Sequence, residues 1–346
     1  MAKINKRIYR LQFLNSALHL ARGKEGVYDQ SQQVLHADTL KSALFACALQ
    51  LYGQDKINQS FLDAFTLSSA FPFYEEEYFF PKPMARIPRL AGLPDEKQGK
   101  KLKKIQFLGK SYFENLLHGR AAEIEAAHIH GSGAYVSKHE SILNKVRSAK
   151  PEADLVLMES EVQQRLVIPA GLEEDPTPFY MERMHFGQGA GLYFMLDMHE
   201  PEVLSVVESA LRLLGDNGLG TDRSVGNGHF TFEAAEMQLD VPDNATHAMA
   251  LSLYCPNRDE LTEDMLNGSS YSLVKRGGWL ASPENPDNLT LRKKSVYMFT
   301  EGSVFAADPK QLTGKLLNLQ PETDTVRHPV WRDGRAMFVP INPLEA

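Results

Sequence analysis

Gly218-Leu-Gly-Thr-Asp-Arg-Ser-Val-Gly-Asn-Gly-His-Phe230 is the stretch from which the fold can be read. Four glycines fall within eleven residues, around Asp222, Arg223 and Ser224. Upstream, Val203, Leu204, Val207, Ala210, Leu211 and Leu214 recur at helical spacing, with Pro201 and Glu202 at the start and Gly215 at the end. Downstream, Gly228-His-Phe-Thr-Phe-Glu reads as a strand. The glycines therefore follow a helix and precede a strand. A dinucleotide fingerprint needs the reverse order and a third glycine where Arg223 stands. A P-loop needs Gly-Lys-Ser/Thr, which is absent. Two readings stay open: a long turn, or a backbone surface with Arg223 and Ser224 that meets a phosphodiester or another protein.

Outward from this loop, the chain divides into two similar halves. Tyr9, Leu11 and Phe13 alternate with polar residues as a first strand. Leu40, Ala43, Leu44, Cys47, Ala48 and Leu51 form a helical stripe, with Asp38 or Thr39 as its cap and Gly53 as its end. Phe65–Phe73 and Tyr78–Met84 read as extended segments. A second half opens near Arg165, with strands at 179–183, 191–197, 229–233 and 247–254, a helical turn near Glu260, and strands near Tyr271 and Val296. Each half reads as strand–helix–strands, which fits two α+β sandwiches of the βαββαβ kind.

Composition sets the class. At 346 residues, 43% apolar and 23% charged, the chain suits two soluble domains. No apolar run reaches membrane-spanning length, and the basic start lacks the apolar stretch of a signal peptide. Two distant cysteines, Cys47 and Cys255, read as buried thiols, which points to the cytoplasm. The net charge of −7 argues against indiscriminate polyanion binding. Positive charge is nevertheless clustered, in Lys97, Lys100, Lys101, Lys103, Lys104 and Lys110, and in Lys3, Lys6, Arg7, Arg10, Arg22 and Lys24. The first run is either a solvated loop or a local surface for nucleic-acid phosphates.

The chemical candidates are few. His118, His128, His130 and His139 lie close in sequence without a known metal spacing, and read as surface or RNA-contacting histidines. His36 reaches a neighbour or ligand at the helix N-terminus. Ser68, Ser69, Phe71 and Phe73 combine hydroxyls and rings, which suits single-stranded RNA or the edge of a core.

Several segments together resemble a known family: His36-Ala-Asp-Thr-Leu-Lys-Ser-Ala-Leu44, Leu67-Ser-Ser-Ala-Phe-Pro-Phe73, Phe79-Phe-Pro-Lys-Pro83, Lys275-Arg-Gly-Gly-Trp279, Glu301-Gly-Ser-Val-Phe305 and His328-Pro-Val-Trp-Arg-Asp-Gly334, with the glycine-rich loop. They are similar to the fourth-subunit family of type III-A CRISPR (Csm) effector complexes, within the RAMP superfamily. The resemblance spans nearly the whole chain. It implies two ferredoxin-like RAMP domains, at 1–160 and 161–346, with a β-hairpin thumb at about 80–110. It implies a non-catalytic subunit that holds the 5′ handle of the CRISPR RNA and joins the large polymerase-like subunit to the backbone filament. Under it, the residues expected to meet RNA are His36, Lys41, Ser68, Ser69, Phe71, Lys100, Lys101, Lys103, Lys104, Gly218, Gly220, Arg223, Ser224, Gly226, Gly228 and Arg276. No catalytic residue, metal or cofactor is expected. Asp222 departs from the small or basic residue expected beside Arg223, which weakens a direct phosphate role for the loop tip and leaves a protein contact open. The alternative is a metal-independent RAMP endoribonuclease that processes precursor RNA, with His19 or His36 as general acid or base and a lysine partner.

Overall fold

Strand β1 (Ala2–Gln12) is paired along both edges, and everything else is arranged around it. In this computed structural model the described residues are all but 1, 14–15, 21–27, 93, 122, 149–154, 168–174, 176, 281–290, 324–325 and 345–346. Arg22 and Lys24 of the N-terminal basic group lie outside the described residues.

Along the chain follow α1 (Ala37–Tyr52), α2 (Gln59–Asp63), β2 (Phe65–Leu67), β3 (Phe71–Tyr74) and β4 (Glu77–Pro81). Next come α3 (Asp95–Lys104), β5 (Phe107–Gly109), α4 (Lys110–Leu117), β6 (Ile129–His130), β7 (Tyr135–Val136) and α5 (Glu140–Ser148). Then come β8 (Met158–Val167), β9 (Thr177–Phe186), β10 (Ala190–Met198), α6 (Leu204–Asn217) and β11 (Thr231–Val241). The central mixed sheet has the order β11-β1-β10-β3-β4-β5-β7-β6, with β2 also on β10. Its first four strands are antiparallel to their neighbours. Among the described residues, the only parallel strand pairing in this sheet is β5 with β7.

Alternation along β1 sends side chains into two cores. Tyr9 and Leu11, with Phe194 and Leu196 of β10, face the helices, where Leu40, Leu44 and Cys47 of α1 meet Val207, Leu211 and Leu214 of α6. Ile8, Tyr193, Met195 and Leu239 face the opposite core, which Phe80 and Phe113 share in a parallel stack at 4.2 Å. A sheet buried on both faces reads as apolar runs, as in Leu192–Leu196.

The helices expected from periodicity are present. α6 runs past Gly215, however, and ends at Gly218. Gly215 is an inward-facing position at which a Cβ would lie 2.4 Å from the Phe230 carbonyl oxygen. Two other differences matter more. β10 and β11 come after residue 160 yet flank β1, so the sheet crosses the expected division of the chain. Residues 80–110 contain α3 rather than a hairpin. Lys101, Lys103 and Lys104 crowd its last turn, where cations favour the negative end of the helix dipole. The long hairpin is β8–β9, paired over ten residues from Met158↔Phe186 to Val167↔Thr177.

The C-terminal part holds β12 (His247–Ala250), α7 (Glu263–Asn267), β13 (Leu273–Arg276), β14 (Val296–Phe299), β15 (Val304–Phe305), β16 (Leu316–Asn318), β17 (Trp331–Asp333) and β18 (Phe338–Ile341). β12 pairs with β15 and β18. Met249, Leu251, Val339 and Ile341 join the core beneath the central sheet. The Glu260 carboxylate pins two loops here, accepting the N–H groups of Asn257 at 2.8 Å, Thr313 at 2.8 Å and Gly314 at 3.0 Å. Cys47 and Cys255 are both free and buried, as their sequence settings suggest.

Candidate functional site

Five of the segments that carry the family resemblance, 36–44, 67–73, 275–279, 301–305 and 328–334, converge on the N-terminal end of α1. His36 is the N-cap in extended conformation, and its carbonyl accepts Thr39 N–H at 3.0 Å and Leu40 N–H at 3.1 Å. Its ring Nδ1 lies 2.7 Å from Glu301 Oε1. Ser69 Oγ donates to the same oxygen and accepts Ala37 N–H at 2.9 Å. Burial pushes the Glu301 carboxyl upward, but His36 and Ser69 outweigh it and hold it below its ordinary range.

Asp38 is not the cap that the sequence suggests. Its carboxylate is fully enclosed and takes Arg276 in a two-point grip, Nε to Oδ2 at 3.0 Å and Nη2 to Oδ1 at 3.1 Å, together with Arg332 Nη1. Burial would raise its pKa, and the two guanidiniums reverse that and hold it well below the carboxylate range. One turn on, Lys41 is buried, with Nζ 2.5 Å from Phe65 O and 2.5 Å from Asp333 Oδ2. Desolvation pulls the Lys41 ammonium down to about 8. Arg335 closes the chain of charges, 2.8 Å from Asp333 and 2.5 Å from Asp63. The network staples α1 to β13, β17 and the turn before β15. Such pairs add little net stability but strongly penalise loss of one member.

This geometry places several of the expected RNA-contacting residues inside the protein. Lys41, Ser68, Ser69 and Phe71 are at most 3% exposed and present no surface to a ligand. Phe71 lies edge-on to Tyr193 in the core rather than offering a face for a base. Arg276 grips Asp38 and Thr39 but keeps 14% of its side chain exposed.

The glycine loop is a second assembly. It begins beside α1, with Asn217 Nδ2 3.5 Å from Gln50 Oε1, about 20 Å along that helix from His36. The loop folds against residues 16–19. Gly228 N–H donates to Ala17 O at 2.7 Å, Thr221 N–H donates to His19 O at 3.2 Å, and Ser16 Oγ donates to Gly226 O at 2.9 Å. Gly220 (φ +83°) and Gly228 (φ +75°) are required there. A Cβ would lie 2.2 Å from His19 O at the first and 1.8 Å from Leu219 O at the second. Asp222, itself left-handed at φ 58°, accepts Arg165 of β8, while Arg183 of β9 reaches Asn227 Oδ1 at 2.9 Å. Asp222 therefore ties the loop to the hairpin. Gly218 is the C-cap of α6, and a Cβ on Gly226 would meet nothing within 4 Å. Arg223 and Ser224 form the exposed tip with Val225.

At the seam, His19 Nε2, Thr221 Oγ1, Asn227 Nδ2 and Arg183 Nε are buried without a hydrogen-bond partner among the described residues. Asp216, Thr221, Arg223, Ser224 and His229 help line an open cavity of about 650 Å³. A third element is the exposed face of α3, carrying Lys100, Lys101, Lys103 and Lys104. The histidines near 128 each find a partner: His118 with Asp240 at 3.0 Å, His128 with Tyr112 at 2.8 Å, His130 with Ser137 O at 3.0 Å and His139 with Ser141 at 2.8 Å. Among the described residues no three His, Cys, Asp or Glu side chains gather as a metal site. No helix among them is long and apolar enough to cross a membrane. Sequence reasoning missed Arg165, Arg183, Glu301 and Arg332 as members of these assemblies. The last two sit inside segments already singled out, Glu301–Phe305 and His328–Gly334.

Known proteins match this architecture. The family model described as the CRISPR Csm4 C-terminal domain matches residues 243–341, which hold β12 to β18. A curated relative from Mycobacterium tuberculosis, the CRISPR system Cms protein Csm4, is 28% identical over 98% of each chain. Its namesake from Methanocaldococcus jannaschii is 25% identical over 95% of this chain and 96% of that one. The chain is similar to Csm4 proteins over nearly its whole length, and its residues 243–341 match the Csm4 C-terminal domain family. Csm4-type architecture also appears among solved structures. A chain of the Csm3–Csm4 subcomplex of a type III-A CRISPR-Cas interference complex superposes with a TM-score of 0.65 at 20% identity, covering 98% of this chain and all of that one. A chain of a Csm1–Csm4 cassette in complex with cA4 gives 0.61 at 19% identity, covering 99% and 100%. These likenesses extend the family's fold over the central sheet as well as the C-terminal part.

Proposed function

We propose that this protein is a non-catalytic RNA-binding subunit of a type III-A CRISPR effector complex. In this reading it works in the cytoplasm, holds the 5′ handle of the CRISPR RNA, and bridges the large polymerase-like subunit to the backbone filament. The Csm4-named relatives, and the solved assemblies in which Csm4 accompanies Csm3 or Csm1, support a place in such a complex. The observation that carries the RNA reading is the glycine loop. Its exposed Arg223–Ser224 tip shares a loop with Thr221 and Asn227, whose buried Oγ1 and Nδ2 have no hydrogen-bond partner among the described residues, and Asp222 ties that loop to the β8–β9 hairpin. Guanidinium, hydroxyl and bare N–H groups are the donors that phosphates accept. The Lys face of α3 adds a salt-sensitive contribution.

We read the antiparallel set β11-β1-β10-β3, with α1 and α6 on one face, as the first ferredoxin-like unit. It is assembled from residues 2–241 around an insertion, with β8–β9 as the thumb. The C-terminal part is then the second, shorter unit. The nuclease alternative has less support. His36 is engaged by Glu301, and His19 is fully buried with Nδ1 2.7 Å from the Glu182 carbonyl.

The test is copurification. A tagged copy should bring down a CRISPR RNA with an intact 5′ handle together with a much larger subunit and a backbone subunit. Complexes carrying Arg223→Ala should hold less handle RNA. Purified protein that cleaves a precursor transcript unaided would overturn the non-catalytic reading.

A further inference from the structure

The cluster around Asp38 is not balanced in charge. Arg276 and Arg332 both bind that one carboxylate. A third cation, Lys293, lies within electrostatic range of the same three groups and has no ion pair or side-chain hydrogen bond among the described residues. Its position is fixed by the backbone. Lys293 N–H donates to Gly278 O at 2.9 Å, and Arg332 Nη2 donates to the adjacent Gly277 O at 2.9 Å. Among the described residues, three cations against one carboxylate leave two positive charges in a half-buried place. Arg332 is 6% exposed, and its Nε is buried with no partner among the described residues. The cluster also sits at the first turn of the sixteen-residue α1, whose leading N–H groups favour an anion.

We propose that Lys293, Arg276 and Arg332 form an anion site for dianionic phosphate, free or as a phosphate monoester. The charge count selects this ligand. A dianion neutralises the cluster, whereas a phosphodiester or a lone carboxylate leaves it positive. Burial beside two guanidiniums pulls Lys293 down to about 8 when the site is empty, so it still carries its proton at neutral pH. A bound dianion relieves the repulsion that produces this shift. The site lies apart from the glycine loop and does not depend on the RNA-holding role.

The experiment titrates the purified full-length chain with inorganic phosphate at neutral pH and constant ionic strength, read by calorimetry and by thermal unfolding. The parent should bind phosphate and melt at higher temperature with it. Lys293→Gln should weaken binding by about tenfold or more, as expected when one charge-assisted hydrogen bond is removed. Lys293→Arg should keep most of it. Lys293→Gln removes a cation that repels two others, so it should melt no lower than the parent without ligand, which keeps its binding interpretable. AMP and the dinucleotide ApA separate the sources. AMP binding alongside phosphate admits terminal phosphates, and AMP failing to bind confines the site to the free ion. ApA binding as tightly as AMP would overturn the proposal. So would a parent that ignores phosphate, or a Lys293→Gln protein that binds it equally well.

Discussion

Arg276 holds both carboxylate oxygens of Asp38 across 238 positions of sequence. The pair joins the first turn of α1 to β13, and Arg332 seals the same carboxylate from β17. Asp38→Asn keeps the shape and removes the charge, leaving two guanidiniums facing each other. Breaking a buried pair in this way costs about 3–5 kcal/mol. Loss of a helix cap costs only about 1 kcal/mol. Urea unfolding of Asp38→Asn decides between them, and a loss near the smaller figure would return Asp38 to a capping role.

Stability toward acid should depend on Glu260. Burial pushes its carboxyl upward, but the hydrogen bonds from Thr313, Asn257 and Tyr254 outweigh that and hold it at about 2, against an ordinary 4.5. The folded-state value is depressed, so the contribution is complete above pH 4.5 and is lost as pH falls from there toward 2. In that window the Glu260→Gln protein should lose less stability per pH unit than the parent. Melting temperatures taken across it, with identical slopes for the two proteins, would contradict this.

The glycines of the loop should not behave alike. Gly228→Ala drives a Cβ into Leu219 O and should lower the melting temperature and release the loop from Ala17. Gly226→Ala meets open space and carries only the strain of φ +91°, on the order of 1–2 kcal/mol. Equal melting temperatures for the two variants would mean that the loop does not need its packing against residues 16–19.

Changing Lys100, Lys101, Lys103 and Lys104 together to Ala should leave stability within about 0.5 kcal/mol per site, because all four side chains are exposed. If α3 faces RNA, the variant should bind handle RNA more weakly at low salt. Its log–log salt dependence should flatten by about 0.7 for each phosphate that no longer has a lysine against it. An unchanged slope would make α3 a solvated helix.

Deleting the Arg165 side chain should loosen the tie between hairpin and loop without unfolding the protein. The Arg165–Asp222 pair is about one-third exposed, and pairs of that kind contribute about 0–1 kcal/mol. Hydrogen exchange should quicken in residues 218–228 of Arg165→Ala while the global melting temperature stays near that of the parent. Unchanged exchange would remove the tie from the account of the loop.

How much of this is legible in the sequence follows from the range of the forces involved. α1 and α6 announce themselves through local periodicity, and the helix–glycine–strand order around 218–230 is as the sequence indicates. The placement of β10 between β1 and β3 is not legible, because it depends on pairing between residues more than a hundred positions apart. The segment 95–104 reads as a polar loop, since a helix packed on one narrow edge needs few apolar residues. Ser69, Lys41 and Arg276 read as ligand contacts because each is polar. Their partners Glu301, Asp333 and Asp38 lie far away in sequence, and polarity alone cannot tell a buried counter-charge from an external one. The segments behind the family resemblance are the right ones, but most of them meet one another inside the protein.

The two-sided pairing of β1 also governs how this chain is made. β1 precedes β10 and β11 in the chain, and those partners are complete only at residues 198 and 241. At a synthesis rate of roughly 5–20 residues per second, the strand waits about 10–50 s with both edges bare. A bare edge recruits other chains unless charge interrupts it. Lys3, Lys6, Arg7 and Arg10 do so along its length, and once the sheet closes Lys6 meets Asp197 at 2.5 Å and Arg10 meets Glu76 at 3.3 Å. The same cations that keep the newborn strand from aggregating later lock it in register.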